Sequence, residues 1–335
     1  ALNLYLGDLL LAMGRAERAL FYFDRAAARG GATLAAAHAM AGNALALLGR
    51  DRPAEARYRA ALEADGSIGA VHGKLGALLA RGGRIGEAIV SLRRAVELGS
   101  ADAADGVILA GLLGQIGDVD EAMDLLRAHL RLHPGDAAAM GNLAYLTNCS
   151  DACTPADVLT AHARLAGALR AGRPAWALSG SPPEARASGP VRIALLSPDL
   201  GEHAAACFAE PLVVHRDRAA LHLTCVSLRR HEGPTAARLR SACDAWHDAE
   251  SMDDDAIAEL LRHAGCDVLI DLAGVTAHHR LGVVLRRPAR LHLTAIGYPC
   301  TTGLEEMDLR LVDAVTDPPG TEGHMTERPL RLDVC

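Results

Sequence analysis

Apolar and small residues recur along the first part of the chain with two superimposed periods. Within short segments they follow the period of about 3.6 residues that marks an amphipathic helix, and over longer distances whole segments repeat. Gly14, Gly49, Gly83 and Gly117 stand 35, 34 and 34 residues apart. Five residues after each glycine comes Ala19, Ala54, Ala88 or Ala122, and four further on a bulky Phe23, Tyr58, Leu92 or Leu126. Upstream lie Leu6-Gly7, Ala41-Gly42, Leu75-Gly76 and Leu109-Ala110, whose small members let the first helix of each unit approach the second. The pattern predicts four helix pairs over 1–136, with Pro134 stopping the last helix.

This is the period of tetratricopeptide repeats. Two more helices are predicted over Ala137–Thr147 and Thr154–Arg170, and 137–170 reads as a cap or adaptor, because the end of a stacked array must be covered. Proline, glycine and serine then concentrate in RAGRPAWALSGSPPEARASGP, which makes 171–190 a linker. Beyond it the pattern changes to short continuous apolar runs. Strands are expected at Val191–Ser197, Leu221–Leu228, Asp267–Leu272, Leu291–Ile296 and Leu309–Val312. Helices are expected at Ala205–Arg216, Thr235–Ala245, Asp254–His263 and His279–Arg286. Buried strands alternating with helices imply a parallel sheet covered on both faces. The expected fold class is therefore α + α/β, an N-terminal α-solenoid followed by a Rossmann-like lobe over 191–335.

Composition narrows the function classes. Half of the residues are hydrophobic but only 3% are aromatic, so alanine and leucine build most of the core. A net charge of -7 argues against a nucleic-acid partner, which needs a clustered positive surface. No run approaches the roughly 18 apolar residues of a membrane span, and the first residues lack the basic-then-apolar order of a leader. A cytoplasmic protein without a membrane partner is expected. All 8 cysteines lie at or beyond Cys149 and none forms a CxxC pair, so no metal site is expected.

Ligands of open parallel sheets bind beyond the carboxyl ends of the strands, and three loops there carry candidate chemistry. The first, Ser197-Pro198-Asp199-Leu200-Gly201-Glu202-His203, ends at a helix start. Free N–H groups there favour a neutral imidazole that accepts a proton or holds a sugar hydroxyl. The second is Asp271-Leu272-Ala273-Gly274-Val275-Thr276, in which Gly274 gives conformational freedom and Thr276 can cap the next helix. The third, Gly297-Tyr298-Pro299-Cys300-Thr301-Thr302-Gly303, is a stiff turn able to lie against a flat ligand. No GxGxxG or GxxxxGK[ST] phosphate loop is present in the sequence.

The repeats, followed by YLTNCSDACTPADVLTAHARLAGAL, RIALLSPDLGEH, DVLIDLAGVT, RRPARLHLTAIGYPCTTG and MDLRLVDAVTDPPG, resemble the O-linked N-acetylglucosamine transferase family, SPINDLY type, in its bacterial form. The resemblance implies a two-lobed GT-B glycosyltransferase in which the repeats present a protein acceptor and a sugar nucleotide lies between two lobes. It implies inverting transfer of N-acetylglucosamine from UDP-N-acetylglucosamine to Ser or Thr hydroxyls, with neither metal nor other cofactor. By the same resemblance His203 is the catalytic histidine. Asp199, Gly274, Thr276, Gly297, Tyr298, Pro299 and Thr301 are substrate-binding, and Asn142 belongs to the acceptor groove.

The chain departs from the family pattern at Leu200, where an aromatic is usual, at Ala204, where a proline is usual, and at Val275, where His or Tyr is usual. Tyr5, Met40, Lys74 and Ile108 occupy positions at which relatives often carry groove asparagines. The second lobe, which in the family holds uridine and diphosphate, is not in the sequence. The expectation is a C-terminally truncated or partial transferase, inactive on its own. The alternatives are a scaffold that binds partners through its repeats beside a non-catalytic lobe, and a transferase using a different donor such as GDP-fucose.

Overall fold

The computed structural model describes residues 1–99, 102–172 and 188–333. Most of the predicted linker lies outside the described residues. The chain divides into two compact units, Ala1–Pro134 and Gly135–Cys335.

The first unit is a stack of four helix pairs: α1 (Leu2–Ala12) with α2 (Ala16–Ala27), α3 (Leu34–Leu47) with α4 (Asp51–Ala64), α5 (Gly69–Arg81) with α6 (Ile85–Glu97), and α7 (Ala103–Gln115) with α8 (Val119–Leu132). The glycine period has a direct cause. Gly14, Gly49, Gly83 and Gly117 all sit at φ between +70° and +87°, where a β-carbon is strained. Each lets the next residue's N–H reach back to close the helix end, as Arg15 to Leu10 (2.8 Å), Arg50 to Leu45 (2.9 Å), Arg84 to Leu79 (3.0 Å) and Asp118 to Leu113 (2.9 Å). The small residues are equally determined. A β-carbon on Gly42 would lie 2.6 Å from the Tyr58 ring, and one on Gly7 would lie 2.4 Å from Phe23. Ala19, Ala54, Ala88 and Ala122 are all wholly buried. Exposed ion pairs between neighbouring pairs of helices, including Arg50–Glu17 (2.5 Å), Arg81–Asp51 (3.2 Å) and Arg84–Glu55 (2.7 Å), set register but add little stability.

The second unit begins with α9 (Ala137–Thr147) and α10 (Pro155–Ala171). Thr154 and Asp157 form a capping box at the start of α10. These helices form one unit with the lobe that follows rather than with the repeat stack. Arg170, for example, grips Glu306 through two hydrogen bonds of 2.9 and 2.7 Å.

The lobe contains β1 (Val191–Ser197), α11 (Ala204–Val214), β2 (Leu221–Ser227), α12 (Pro234–Ala242), β3 (Ala245–Asp248), α13 (Asp254–His263), β4 (Val268–Asp271), α14 (Leu281–Val284), β5 (Leu291–Ala295), β6 (Leu309–Asp313) and β7 (Arg328–Leu332). The sheet order is β3-β2-β1-β4-β5-β6-β7 and every neighbouring pair is parallel. Right-handed crossovers place α11 and α12 on one face and α13 and α14 on the other. Leu195, Leu200, Ala206, Val213, Leu223 and Leu239 form the core beneath the first pair.

Three elements differ from the sequence expectation. The helix expected to reach Ala245 ends at Ala242, because Cys243 is extended and the chain enters the short strand β3. The helix expected over His279–Arg286 shrinks to α14, bounded by His278 and Arg287 at positive φ. Edge strand β7 lies beyond the last strand the pattern resolved.

Two substitutions separate the roles of glycine in the stack. Gly42→Ala, which drives a methyl group into Tyr58, is expected to cost about 1–3 kcal/mol. Gly111→Ala meets nothing within 4 Å and should stabilise α7 by up to ~1 kcal/mol. Urea unfolding of both variants checks the pair; equal signs would refute the close-approach explanation.

Candidate active site at the carboxyl edge of the sheet

The order of the strands reverses between β1 and β4, and the crevice at such a reversal is where doubly wound sheets bind ligands. Since the strands are parallel, the three loops singled out from the sequence emerge at this one edge.

After β1 the chain is held by its own polar groups. The Ser197 hydroxyl accepts from the Asp199 N–H (3.0 Å). His231 donates from Nε2 to the Pro198 carbonyl (2.7 Å), and its ring lies where a β-carbon on Gly201 would be 2.4 Å from Nδ1. The Glu202 carboxylate accepts from Thr235 N–H (3.0 Å) at the start of α12, and this bond lowers its pKa. Leu200, in place of an aromatic, is a wholly buried core residue. Ala204 is simply the first residue of α11.

His203 caps α11. Its Nδ1 accepts from the Ala205 N–H (3.2 Å), its side chain is 54% exposed, and Asp199 Oδ2 lies 3.9 Å from Nδ1. A neutral ring that accepts at Nδ1 carries its proton on Nε2. The outward nitrogen of this rotamer is therefore a donor.

After β4, Asp271 is fully buried and accepts from the N–H groups of Gly274 (2.7 Å) and Ala273 (3.4 Å) and from the Thr294 hydroxyl (3.4 Å). Burial pushes its pKa up to about 7 against these stabilising bonds. Gly274, at φ +55°, packs under Tyr298: a β-carbon there would lie 2.5 Å from the Tyr298 ring. Val275 is buried. Thr276 does not cap a helix, because its hydroxyl turns back to the Ala273 carbonyl (2.9 Å) and α14 starts at Leu281.

After β5 the backbone bends sharply. Ile296, a β-branched residue, sits at φ +61° while Gly297 N–H reaches Ala295 O (2.7 Å), a strained conformation that surrounding structure must hold. A β-carbon on Gly297 would fall 1.6 Å from the Leu272 carbonyl oxygen, so the β4 and β5 loops interlock there. Pro299 is exposed, and its carbonyl accepts from the buried Arg310 (2.5 Å).

Tyr298 and Thr301, expected against a ligand, are both buried within hydrogen-bond networks. Tyr298 is 3% exposed. His162 Nδ1 faces the Val158 carbonyl (2.7 Å) and so must be the donor there, which leaves Nε2 to accept from the Tyr298 hydroxyl (2.7 Å). That hydroxyl in turn accepts from Asn148 Nδ2 (2.6 Å). The proton order is complete, and burial favours it by lowering the pKa of His162 and raising that of Tyr298. Thr301 is wholly buried, donates to Glu327 (2.6 Å) and accepts from Gly303 and Thr326 N–H groups (3.1 and 3.2 Å). Glu327 also accepts from Thr302 N–H (2.7 Å).

The structure thus joins Gly274 with Tyr298, and Asp199 with His203. Among the described residues no hydrogen bond or ion pair links His203 to the β4 or β5 turns. Asn142 is half-buried on α9, next to Gly141, whose side faces His279. Sequence reasoning missed Asn148, His162 and Glu327. The first two stood in a quoted segment without an assigned role, and Glu327 has no local signal at all.

Tyr298→Phe leaves a buried histidine and amide without their shared partner and should cost about 1–3 kcal/mol in urea unfolding. Asp271 gives a pH test. Its carboxyl is neutral in the folded lobe and ionised in the unfolded chain between its ordinary value of 3.8 and about 7. Folding takes up a proton in that window, so the contribution is complete below it and is lost as pH rises through it. The thermal midpoint of the wild type should fall relative to Asp271→Asn from pH 4 to about pH 7; parallel profiles would refute the assignment.

Residues 177–330 match the family described as glycosyl transferase family 41. The chain is similar to the probable UDP-N-acetylglucosamine–peptide N-acetylglucosaminyltransferase SPINDLY of Arabidopsis thaliana, 33% identical over 150 residues, 44% of this chain and 16% of that protein. It is also similar to the UDP-N-acetylglucosamine–peptide N-acetylglucosaminyltransferase of Caenorhabditis elegans, 27% identical over 140 residues, 41% of this chain and 12% of that protein. The chain therefore spans a small part of the length of these curated relatives. Among solved structures, an O-GlcNAc transferase from Thermobaculum terrenum superposes with TM-score 0.74 at 27% identity, covering 89% of this chain and 57% of that one. Helix-pair repeats and a parallel lobe whose residues 177–330 match family 41 thus make the chain similar to the O-GlcNAc transferase and SPINDLY proteins.

Proposed function

We propose that this chain supplies the acceptor-binding repeats and the first catalytic lobe of a cytoplasmic protein glycosyltransferase, one that moves N-acetylglucosamine from UDP-N-acetylglucosamine to Ser or Thr hydroxyls without a metal or other cofactor. The observation that carries the reading is His203 at the carboxyl edge beside the strand-order reversal, exposed and with its outer nitrogen a donor, in a lobe that matches family 41. Named relatives that act on peptides with this donor support the donor and the acceptor class.

In the proposed reaction the acceptor oxygen attacks the anomeric carbon as its bond to the diphosphate oxygen breaks, with inversion and departure of UDP. His203 Nε2–H binds a sugar or phosphate oxygen and fixes its position; the acceptor proton goes to another base. Asp199 stands behind the imidazole. Gly274 and Gly297 contribute by leaving room and by fixing the turn that carries Pro299, while Tyr298 and Thr301 act from beneath it. The protein acceptor engages the repeats, and Asn142 is a candidate contact for its backbone.

The test is glycosyl transfer by the full-length protein, followed by mass spectrometry of acceptor peptides with UDP-N-acetylglucosamine and, in parallel, GDP-fucose. Loss of one preorganised donor to developing charge is worth about 10²–10³ in kcat, so His203→Ala should lower kcat by that factor. Unchanged transfer would remove His203 from the site, and transfer from GDP-fucose alone would replace the donor.

A further inference from the structure

Lys74 is the only lysine in the chain, against 34 Lys and Arg residues in all. It stands on α5 at the repeat position held by Tyr5, Met40 and Ile108 in the other three units. The structure puts it, exposed, on the wall of a cavity of about 670 Å³ between α1, α3 and α5, a size within the ~300–1,000 Å³ of ordinary ligand sites.

The other polar groups of that cavity are committed. Arg81 pairs with Asp51 at 3.2 Å. Asn43 accepts from the Tyr58 hydroxyl at 3.0 Å and directs its amide to the Met40 sulfur. Lys74 forms no contact ion pair among the described residues, although its charge acts on Asp105, whose carboxylate also accepts from the Asp102 N–H (3.0 Å) in the cap of α7. Beside the ammonium lies apolar surface from Leu11, Leu47 and Leu78, with Leu47 72% exposed. A cation outside any contact ion pair, next to exposed aliphatic surface, fits a carboxylate next to an aliphatic side chain. An ammonium on a flexible stem also meets carboxylates in many positions, where a guanidinium demands a planar pair.

We propose that this cavity takes an acidic–aliphatic segment of the polypeptide acceptor, with Lys74 holding its carboxylate and Leu47 its aliphatic side chain. The inference rests on the reading of the repeats as the acceptor-binding part, and it names the class of acceptor sequence they select.

The test needs no sugar nucleotide, so its outcome is independent of transferase activity. Fluorescein-labelled dodecapeptides carrying two Leu-Glu, Leu-Gln or Leu-Lys dipeptides in a Gly-Ser background are titrated into the protein and followed by anisotropy. The Leu-Glu peptide should bind most tightly. Lys74→Gln should weaken it about fivefold, as loss of an exposed ion pair does, while Lys74→Arg retains part of the affinity; circular dichroism confirms that both variants fold. Reductive ¹³C-methylation gives a single side-chain amine signal, from Lys74, and that signal should shift only with the Leu-Glu peptide. Equal binding of the three peptides, equal binding to Lys74→Gln, or no binding of the Leu-Glu peptide overturns the proposal.

Discussion

At Gly297 a β-carbon would stand 1.6 Å from the Leu272 carbonyl oxygen, so the loops after β4 and β5 can close on each other only because a side chain is absent. The same constraint sets both units. In the repeats, Gly7 and Gly42 admit the rings of Phe23 and Tyr58. In the lobe, Gly274 admits Tyr298 and Gly303 admits the backbone of α10 at His162. Each contact replaces a methyl group by a close backbone approach, which raises packing density but leaves no tolerance for any larger residue. A chain with so few aromatics can still form ordered cores, because the buried rings of Phe23, Tyr58 and Tyr298 are seated against glycine.

The seating of Tyr298 has a consequence for the candidate site. Its ring covers Gly274, and its hydroxyl joins α9 through Asn148 and α10 through His162. The bend after β5 is therefore braced from the helical side of its own unit as well as from the sheet. Ile296 sits in a strained left-handed conformation at the top of that bend, and strain of this kind persists only where surroundings over-determine it. Glu327 supplies the other hold, gathering the hydroxyls of Thr301 and Thr302 and one backbone N–H. The exposed elements of the turn, Ile296 and Pro299, are thus carried on buried supports.

The sequence made legible whatever repeats or alternates. The four glycines fixed the helix pairs because one backbone conformation recurs at one spacing, and the continuous apolar runs fixed the parallel sheet. Its failures were local. The strand at Ala245–Asp248 is too short to show a period and follows a helix without a proline or glycine to mark the change. The helix at Leu281–Val284 was overestimated because positive φ at His278 and Arg287, residues with no sequence sign of it, cuts both ends. At the site, position was legible and role was not. Glycine, tyrosine and threonine in a turn after a strand mark a special place, but whether a hydroxyl faces a ligand or a neighbour depends on partners as distant in sequence as Asn148 and Glu327.

The histidine shows how a single hydrogen bond divides such roles. As a residue type His203 could serve as base, acid or hydrogen-bond donor. Once its Nδ1 caps α11, accepting the Ala205 N–H, a neutral ring has only a donor left to present. The capping bond also fixes the ring's direction, since turning the imidazole to expose Nδ1 would return an unpaired N–H to the helix start. Asp199, 3.9 Å from the same Nδ1, would gain a proton donor only if Nδ1 itself carried a proton, and a protonated Nδ1 would forfeit the cap. The loop therefore turns the Nε2 edge of the ring outward. Nε2–H is thus the group that this loop presents, a donor to an oxygen atom rather than an acceptor of a proton.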